Sequence, residues 1–385
     1  MSLVHDSRFF SRDWILARSR EYDFPNPLAV EMFLWDCEIA AQFQKADARI
    51  ILKGGAAAQL LLPVGQQRGS VDIDTTATEM IADSEISRMA AVVKEAVPSL
   101  NFRLHKPRRP KTRLPLVTYF IDAPTTLGLE LTRRKQLEIK ADFLLDDARL
   151  PTLEVEDVET FALQVKRMRI PTLGTCIGDK LLTLAKGSIG MTREEDYPKQ
   201  MYDIDLLSRK ISEPTFPEIV DAVRKLTPLE ASYRGLEIEP SDALRDVHKL
   251  SASFGTIDTT IGGADEKKHI EAFQQFFVSR SQRLPFYEWA SRALRIAFMA
   301  NLVNMALTKE TAPANAARAL TRAQGLAESL STVQAQKIRP VREGLLKMIP
   351  KRIRYFKELK GKPLTRVFWE AATPHNLDDV ANLLA

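Results

Sequence analysis

The chain has 385 residues, 45% of them apolar and 27% charged, with a formal net charge of +5 and a pI near 9.0. That length supports two or three domains, each with its own core, and no apolar run reaches the roughly 18 residues a membrane span needs. Cys37 and Cys176 are too few for a disulfide framework, five scattered histidines argue against a His-based metal centre, and the charged start MSLVHDSRFFSRDW lacks a signal-peptide core, so no membrane and a cytoplasmic location are expected.

Residues 1–23 lack clear periodicity and predict a short helical or irregular arm, punctuated by Pro25 and Pro27. Over 28–45, Val30, Phe33, Leu34, Cys37, Ala40 and Ala41 recur at helical spacing, which predicts a packing helix with Cys37 as an inert core residue. Residues 49–52 predict a strand, and 56–62 a helix stopped by Pro63. Next comes the stretch RGSVDIDTT at 68–76. Side chains alternate faces along a strand, so Val71 and Ile73 would face a core while Asp72 and Asp74 stand side by side opposite. Two carboxylates that close repel each other unless a cation lies between them, and hard divalent ions take oxygen ligands while keeping positions open for phosphate. Just upstream, the backbone N–H groups of a Gly54-Gly55 turn can approach a polyphosphate. A D-x-D pair alone also describes an amphipathic edge strand. The order strand, GG, apolar helix, RGS and D-x-D points instead to a metal-dependent site for a nucleoside triphosphate.

Residues 80–97 predict an amphipathic helix with Ile81, Ile86, Met89, Val92 and Val93 inside. Three strands are predicted at 101–105, 116–122 and 137–145, the first two separated by the exposed basic loop KPRRPKTR. The last alternates Leu137, Ile139, Ala141 and Phe143 with Glu138, Lys140 and Asp142. From about residue 165 strand signals almost vanish. Thr172 predicts the N-cap of a helix whose stripe is Cys176, Ile177, Leu181 and Leu184, with Lys180 on the same face. A second helix follows at 201–207, with Asp205 as a surface charge. Helices then continue at 218–226, 243–254, 269–283, 287–307 and 314–330, the fourth anchored by Trp289, Leu294, Ile296, Phe298 and Met299.

The order of the central motifs resembles the nucleotidyltransferases of the polymerase-beta superfamily. More closely it resembles their AbiEii-type toxin branch (type IV toxin–antitoxin), whose core reads GG-T-A and then R-x-S-x-D-[IL]-D. Here these are Gly54-Gly55-Ala56-Ala57 and Arg68-Gly69-Ser70-Val71-Asp72-Ile73-Asp74. The second is met at every fixed position; the first carries Ala56 where threonine is usual, without that residue's phosphate-facing hydroxyl. Two later segments match the family as well, Gly178-Asp179-Lys180-Leu181 and Lys199-Gln200-Met201-Tyr202-Asp203-Ile204, the second of which in the family reads K-D-x-x-D-[IL]. Gln200 departs from the usual acid. The likeness covers roughly 50–207.

What the resemblance implies is an α/β (α+β) nucleotidyltransferase lobe with a mixed sheet over 1–165. A mainly α-helical lobe over 166–385 would contribute Lys180 and Asp203 to the cleft. Asp72 and Asp74 would hold Mg²⁺ (or Mn²⁺) against an NTP, joined by a third carboxylate from a neighbouring strand, Asp142 first and Glu138 second. Gly54, Gly55 and Ser70 would donate to the phosphates, with Lys53 and Arg68 adding charge. Lys180 would neutralise the triphosphate, and Asp203 would orient that lysine or contact base or acceptor. The implied activity is nucleotide transfer of the EC 2.7.7 type, with pyrophosphate released and RNA, in particular tRNA, as acceptor; a cognate antitoxin is the implied partner.

RNA is also favoured by three basic clusters: Arg103, Lys106, Arg108, Arg109, Lys111 and Arg113; Arg133, Arg134 and Lys135; and Lys347, Lys351, Arg352, Arg354, Lys357, Lys360 and Lys362. Tyr355 and Phe356 interleave the third as faces for base stacking. Taken singly, each cluster also describes a solvated surface. The alternatives are nucleotidylation of a protein or small molecule, or a non-catalytic RNA- or protein-binding module on the same scaffold. No P-loop, HExxH or GxSxG motif is present, which counts against ATPase, metalloprotease and serine-hydrolase readings.

Overall fold

Asn26, whose side chain accepts from Leu28 N–H, caps the first long helix, with Pro27 pre-set at its first position. The computed structural model describes residues 2–106, 114–128, 136–146 and 149–384. Within that range the N-terminal arm forms a 3₁₀ turn and helix α1 (Arg12–Glu21). It is tied down by Glu38 of helix α2 (Pro27–Ala46), which accepts from the backbone of Val4 and His5 and from the His5 ring.

A five-stranded sheet follows, in the order β1-β2-β5-β4-β3. Its strands are β1 (Ile50–Lys53), β2 (Asp72–Ala77), β3 (Asn101–Leu104), β4 (Leu116–Pro124) and β5 (Gln136–Leu144). β2 and β5 run parallel and the other neighbours antiparallel, so the sheet is mixed. Between β1 and β2 lies α3 (Gly54–Leu60); between β2 and β3 lies α4 (Asp83–Ala96). Ile73, Ile139, Ala141 and Phe143 are buried against α2, with Phe43 and Phe143 in ring contact at 4.6 Å. Of the residues assigned to the inner side of α4, Val92 is 48% exposed; it falls beyond the buried stripe of Ile86, Met89, Ala90 and Val93.

An antiparallel hairpin, β6 (Thr152–Glu159) with β7 (Gln164–Pro171), lies where the sequence pattern suggested no second sheet and runs through the expected boundary at 165. Leu153 and Val155 alternate with Glu154 and Glu156, but the period breaks at Asp157, which has φ +50, so the next apolar side chain is Val158; Glu154 pairs with Arg167 and Asp157 with Lys166. One compact unit comprises Met1–Cys176, Ser232–Leu236 and Ala272–Arg283; the other comprises Ile177–Ala231, Glu237–Glu271 and Leu284–Ala385. The division falls inside α5 (Leu173–Thr183), capped by Thr172 as expected.

The second unit is helical among the described residues. Its elements are α6 (Tyr197–Ser208), most of α7 (Thr215–Arg234), α8 (Pro240–Phe254), the first part of α9 (Ala264–Phe277), α10 (Phe286–Leu307), α11 (Pro313–Ser331), α12 (Ala335–Met348), α13 (Phe356–Leu359), α14 (Leu364–Ala371) and α15 (Leu377–Leu384). α10 is its axis, packing against α6, α8, α11 and α14 through Trp289, Ile296, Phe298 and Met299. No helix among the described residues is long and apolar enough to cross a membrane.

Two expectations fail here. Asp205 is no surface charge: it is fully buried, held by Arg295 at 2.5 Å, Arg209 at 3.1 Å and Arg292 at 3.4 Å. Three guanidiniums keep its carboxyl below the usual range despite the burial that opposes ionisation. Tyr355 is no open stacking face either, being buried with its hydroxyl donating to Glu370. Removing Asp205 leaves buried guanidiniums uncompensated. Asp205→Ala should cost about 3–5 kcal/mol in denaturant unfolding; a change within about 0.5 kcal/mol would be that of a solvent-exposed charge.

Candidate active site

Strand periodicity and register together build the site. Along β2, Ile73 and Thr75 are buried while Asp72 and Asp74 are half-exposed on the opposite face, as period-2 alternation demands. In the parallel ladder Asp72 lies opposite Lys140 and Asp74 opposite Asp142, so the acidic pair of β2 meets a lysine and a carboxylate of β5. On the other flank, Lys53 of β1 is the register partner of Asp74. Glu138, the second choice for a third carboxylate, lies opposite Asp122 rather than opposite either residue of the pair, and ion-pairs with Arg103.

The electrostatics follow from that register. Burial, then repulsion from Asp142 and Asp72, raises the Asp74 carboxyl from 3.8 to about 6, while Lys53 and Lys140 act the other way. Asp142 accepts from Thr118 Oγ1 at 2.6 Å through Oδ1 and ion-pairs with Lys140 through Oδ2. The Lys140 ammonium is held above its usual value: burial opposes its charge, but the Asp142 bond and the fields of Asp142, Asp74 and Asp72 outweigh it.

Gly54, opening α3, has φ +69. A Cβ there would lie 2.1 Å from Asp74 Oδ2, so both its backbone angle and its missing side chain are needed for the helix to start against that carboxylate. Gly55 borders Arg68 and Ser70: a Cβ on it would come within 3.1 Å of Arg68 Nη2 and of Ser70 Oγ. Arg68 is buried rather than solvated, donating to Gly69 O and lying 5.9 Å from the Phe273 ring centre. Its backbone N–H donates to Gln59 Oε1, and Gly69 N–H donates to Phe277 O, so the approach to the acidic strand is pinned on two sides.

Two participants escaped the sequence reading. Lys140 stood on the polar face of its strand, and its role emerges only from the β2–β5 register. Asp36 of α2 is fully buried and neither of its oxygens has a hydrogen-bond partner among the described residues. Burial, and then the charges of Asp72 and Asp74, push its carboxyl well above the usual range. Its sequence signal was weak, since α2 carries two further buried acids, Glu31 and Glu38.

In the second unit, Lys180 is 3% exposed and pairs with the fully buried Asp203 at 2.8 Å, its ammonium also donating to Gln200 Oε1 at 3.1 Å. The lysine therefore does not snorkel to water, and Gln200 is one of its partners. Most of the loop 106–113 and the whole cluster Arg133, Arg134 and Lys135 lie outside the described residues.

Oxygen donors of this kind suit a hard divalent cation, and the raised Asp74 carboxyl marks a surplus of negative charge that a cation would relieve. Among the described residues, however, no three His, Cys, Asp or Glu side chains are already gathered around a metal position. Asp142 is turned to Lys140 and Thr118 instead.

No family model and no curated protein match this chain. Among solved structures it is similar to a candidate nucleotidyltransferase from H. pylori, with 18% identity, a TM-score of 0.41, and 74% of this chain and 97% of that one covered. It is also similar to JHP933 from Helicobacter pylori, with 19% identity, a TM-score of 0.40, and coverage of 76% and 97%. Likeness at that level decides nothing about function.

Since folding raises the Asp74 pKa, its charged form opposes folding. The cost is absent below about pH 4, grows as pH rises through 4 to 6 and is complete above about 6. Asp74 is half-buried, and what solvent reaches it trims the effect by screening. Metal-free Asp74→Asn should be more stable than wild type by about 1–2 kcal/mol at pH 7.5, with the advantage gone by pH 4. Equal stability across that range, measured by denaturant unfolding, would contradict the repulsion.

Proposed function

We propose that this chain is a divalent-metal-dependent nucleotidyltransferase, transferring a nucleotide from an NTP to an RNA acceptor with release of pyrophosphate. The observation that carries the reading is the β2–β5 register, which sets Asp74 beside Asp142 with Asp72 two residues away on the same face, against the glycine start of α3. Asp72 and Asp74 would hold Mg²⁺ or Mn²⁺, with Asp142 as the third ligand once released from Lys140. When bound, the metal supplies charge neutralisation for the triphosphate, the dominant requirement in such a transfer. The acceptor hydroxyl must lose a proton as its oxygen attacks the α-phosphorus and pyrophosphate leaves. Asp142 is the carboxylate assigned to take it, its Oδ1 already oriented by Thr118. Ser70 and the backbone of Gly54 and Gly55 are assigned to phosphate oxygens, with Lys53 supplying positive charge. Arg68, buried between Gly69 and Phe273, is assigned to shaping the turn. The buried Lys180–Asp203 pair is assigned a functional rather than packing role on its motif match.

The RNA acceptor is supported by the third basic cluster. Lys347, Lys351, Arg352, Arg354, Lys357 and Lys360 are all exposed, and none has an ion pair among the described residues. Glu358, the one acid among them, is engaged by Thr260. Six unneutralised cations in fourteen residues suit a phosphate backbone.

With labelled NTPs, Mg²⁺ and total RNA, wild type should label RNA, and Asp72→Asn should lose at least a hundredfold of that activity while melting as wild type does. Equal labelling in EDTA would remove the metal from the mechanism. For the acceptor, reversing charge at Arg352 and Arg354 should weaken RNA binding and lower the salt slope by about 2, with NTP binding unchanged. RNA binding that is indifferent to both substitutions at every salt concentration would return the cluster to plain surface.

A further inference from the structure

We propose that Lys140 is a built-in counter-ion that occupies the metal position of the free protein, and that binding of the divalent ion displaces it. The inference rests on the nucleotidyltransferase reading above. Lys140 and Asp142 share one face of β5, and the ammonium pairs with Asp142 Oδ2. The other oxygen of Asp142 is taken by the Thr118 hydroxyl. With the ammonium seated on Oδ2, a ligand set of Asp72, Asp74 and Asp142 that uses this oxygen cannot close while Lys140 stays where it is, in keeping with the absence of a three-ligand cluster among the described residues.

Charge counting leads the same way. Asp72, Asp74 and Asp142 carry three negative charges between them, and the two lysines in register with the β2 pair, Lys53 and Lys140, carry two positive ones. A divalent ion added to that set overshoots neutrality, and its repulsion falls on the ammonium already bonded to one of its prospective ligands. Lys140 can yield: its side chain is 43% exposed on a flexible four-carbon stem. Asp72 is its register partner and its ammonium is bonded to Asp142, so it lies on the acidic face of the sheet. Once displaced, the ammonium stays within a side-chain length of the acidic strand, where an NTP phosphate can take the place of the lost carboxylate. Lys140 would then serve twice, stabilising the free site against its own repulsion and pairing with phosphate in the loaded one.

The prediction is opposite in sign to that for a supporting residue: removing the lysine should strengthen metal binding. Mn²⁺ is titrated at pH 8 without nucleotide, bound and free ion being separated by electron paramagnetic resonance. Lys140→Met, which keeps the stem and drops the charge, should bind Mn²⁺ at least fivefold more tightly than wild type. Lys140→Arg, which keeps the charge, should stay within twofold. The metal-free melting temperature of Lys140→Met should fall, and Mn²⁺ should raise it further than it raises that of wild type. Should the methionine variant fold poorly, Lys140→Gln gives the same comparison. Unchanged or weaker Mn²⁺ binding in the folded neutral variants would overturn the proposal. Asp74→Asn separates the two levels: if it abolishes binding and Lys140→Met does not strengthen it, Lys140 alone is misassigned. If Asp74→Asn leaves binding intact, the metal-site reading fails and this inference with it.

Discussion

Three carboxylates on two neighbouring strands repel one another, and the first unit is arranged around containing that repulsion. The parallel pairing of β2 with β5 is its origin: it sets Asp74 against Asp142 while Asp72 stands two positions along the same face. Lys53 and Lys140 flank the group from the two adjacent strands, and Asp36 approaches as a buried acid whose charge its surroundings disfavour. A binding protein with no use for that charge would gain stability by losing it. The sheet holds the charge in place by burying the opposite face of the same strands under α2, where Phe43 and Phe143 meet.

The approach to the acidic strand is equally constrained. Arg68 and Gln59 tie the end of α3 to the start of β2, Gly69 N–H bonds to Phe277 O, and Gly54 accepts a left-handed backbone angle to let α3 begin against Asp74. Arg68, whose guanidinium borders Gly55, also donates to Gly69 O and packs near Phe273, so it helps shape the turn.

Charges in the second unit divide into two populations. Asp205, Asp258 and Asp203 are buried with cationic partners: the arginines at Asp205, Arg366 and Lys362 at Asp258, and Lys180 at Asp203. Each is costly to break and sets how its helices pack. The exposed cations from Lys347 to Lys360 make no such pairs among the described residues, so their charge is available to a polyanion. The division between buried pairs and unpaired surface is a tertiary property, since Asp203 and Asp205 are paired from other helices, by Lys180 and Arg295.

Much of the site was legible before any coordinates. Strand periodicity alone places Asp72 and Asp74 on one face, and it puts Asp142 on the polar side of its own strand. Helical spacing located α2, α4 and α10, and Thr172 marked the start of α5, because these signals are local and repeat over one or two turns. The hairpin β6–β7 was hidden because the alternation in its first strand breaks at Asp157, which takes a positive φ, leaving runs too short to stand out. Burial of Asp205 and Tyr355 could not be read from helical periodicity, which cannot distinguish a polar residue facing water from one facing a distant partner. The sequence determined which acids share a strand face; only the tertiary structure decided that Lys140 stands opposite Asp72. Strand register is set by long-range hydrogen bonds and packing, and a shift of one residue would have turned the lysine to the opposite face.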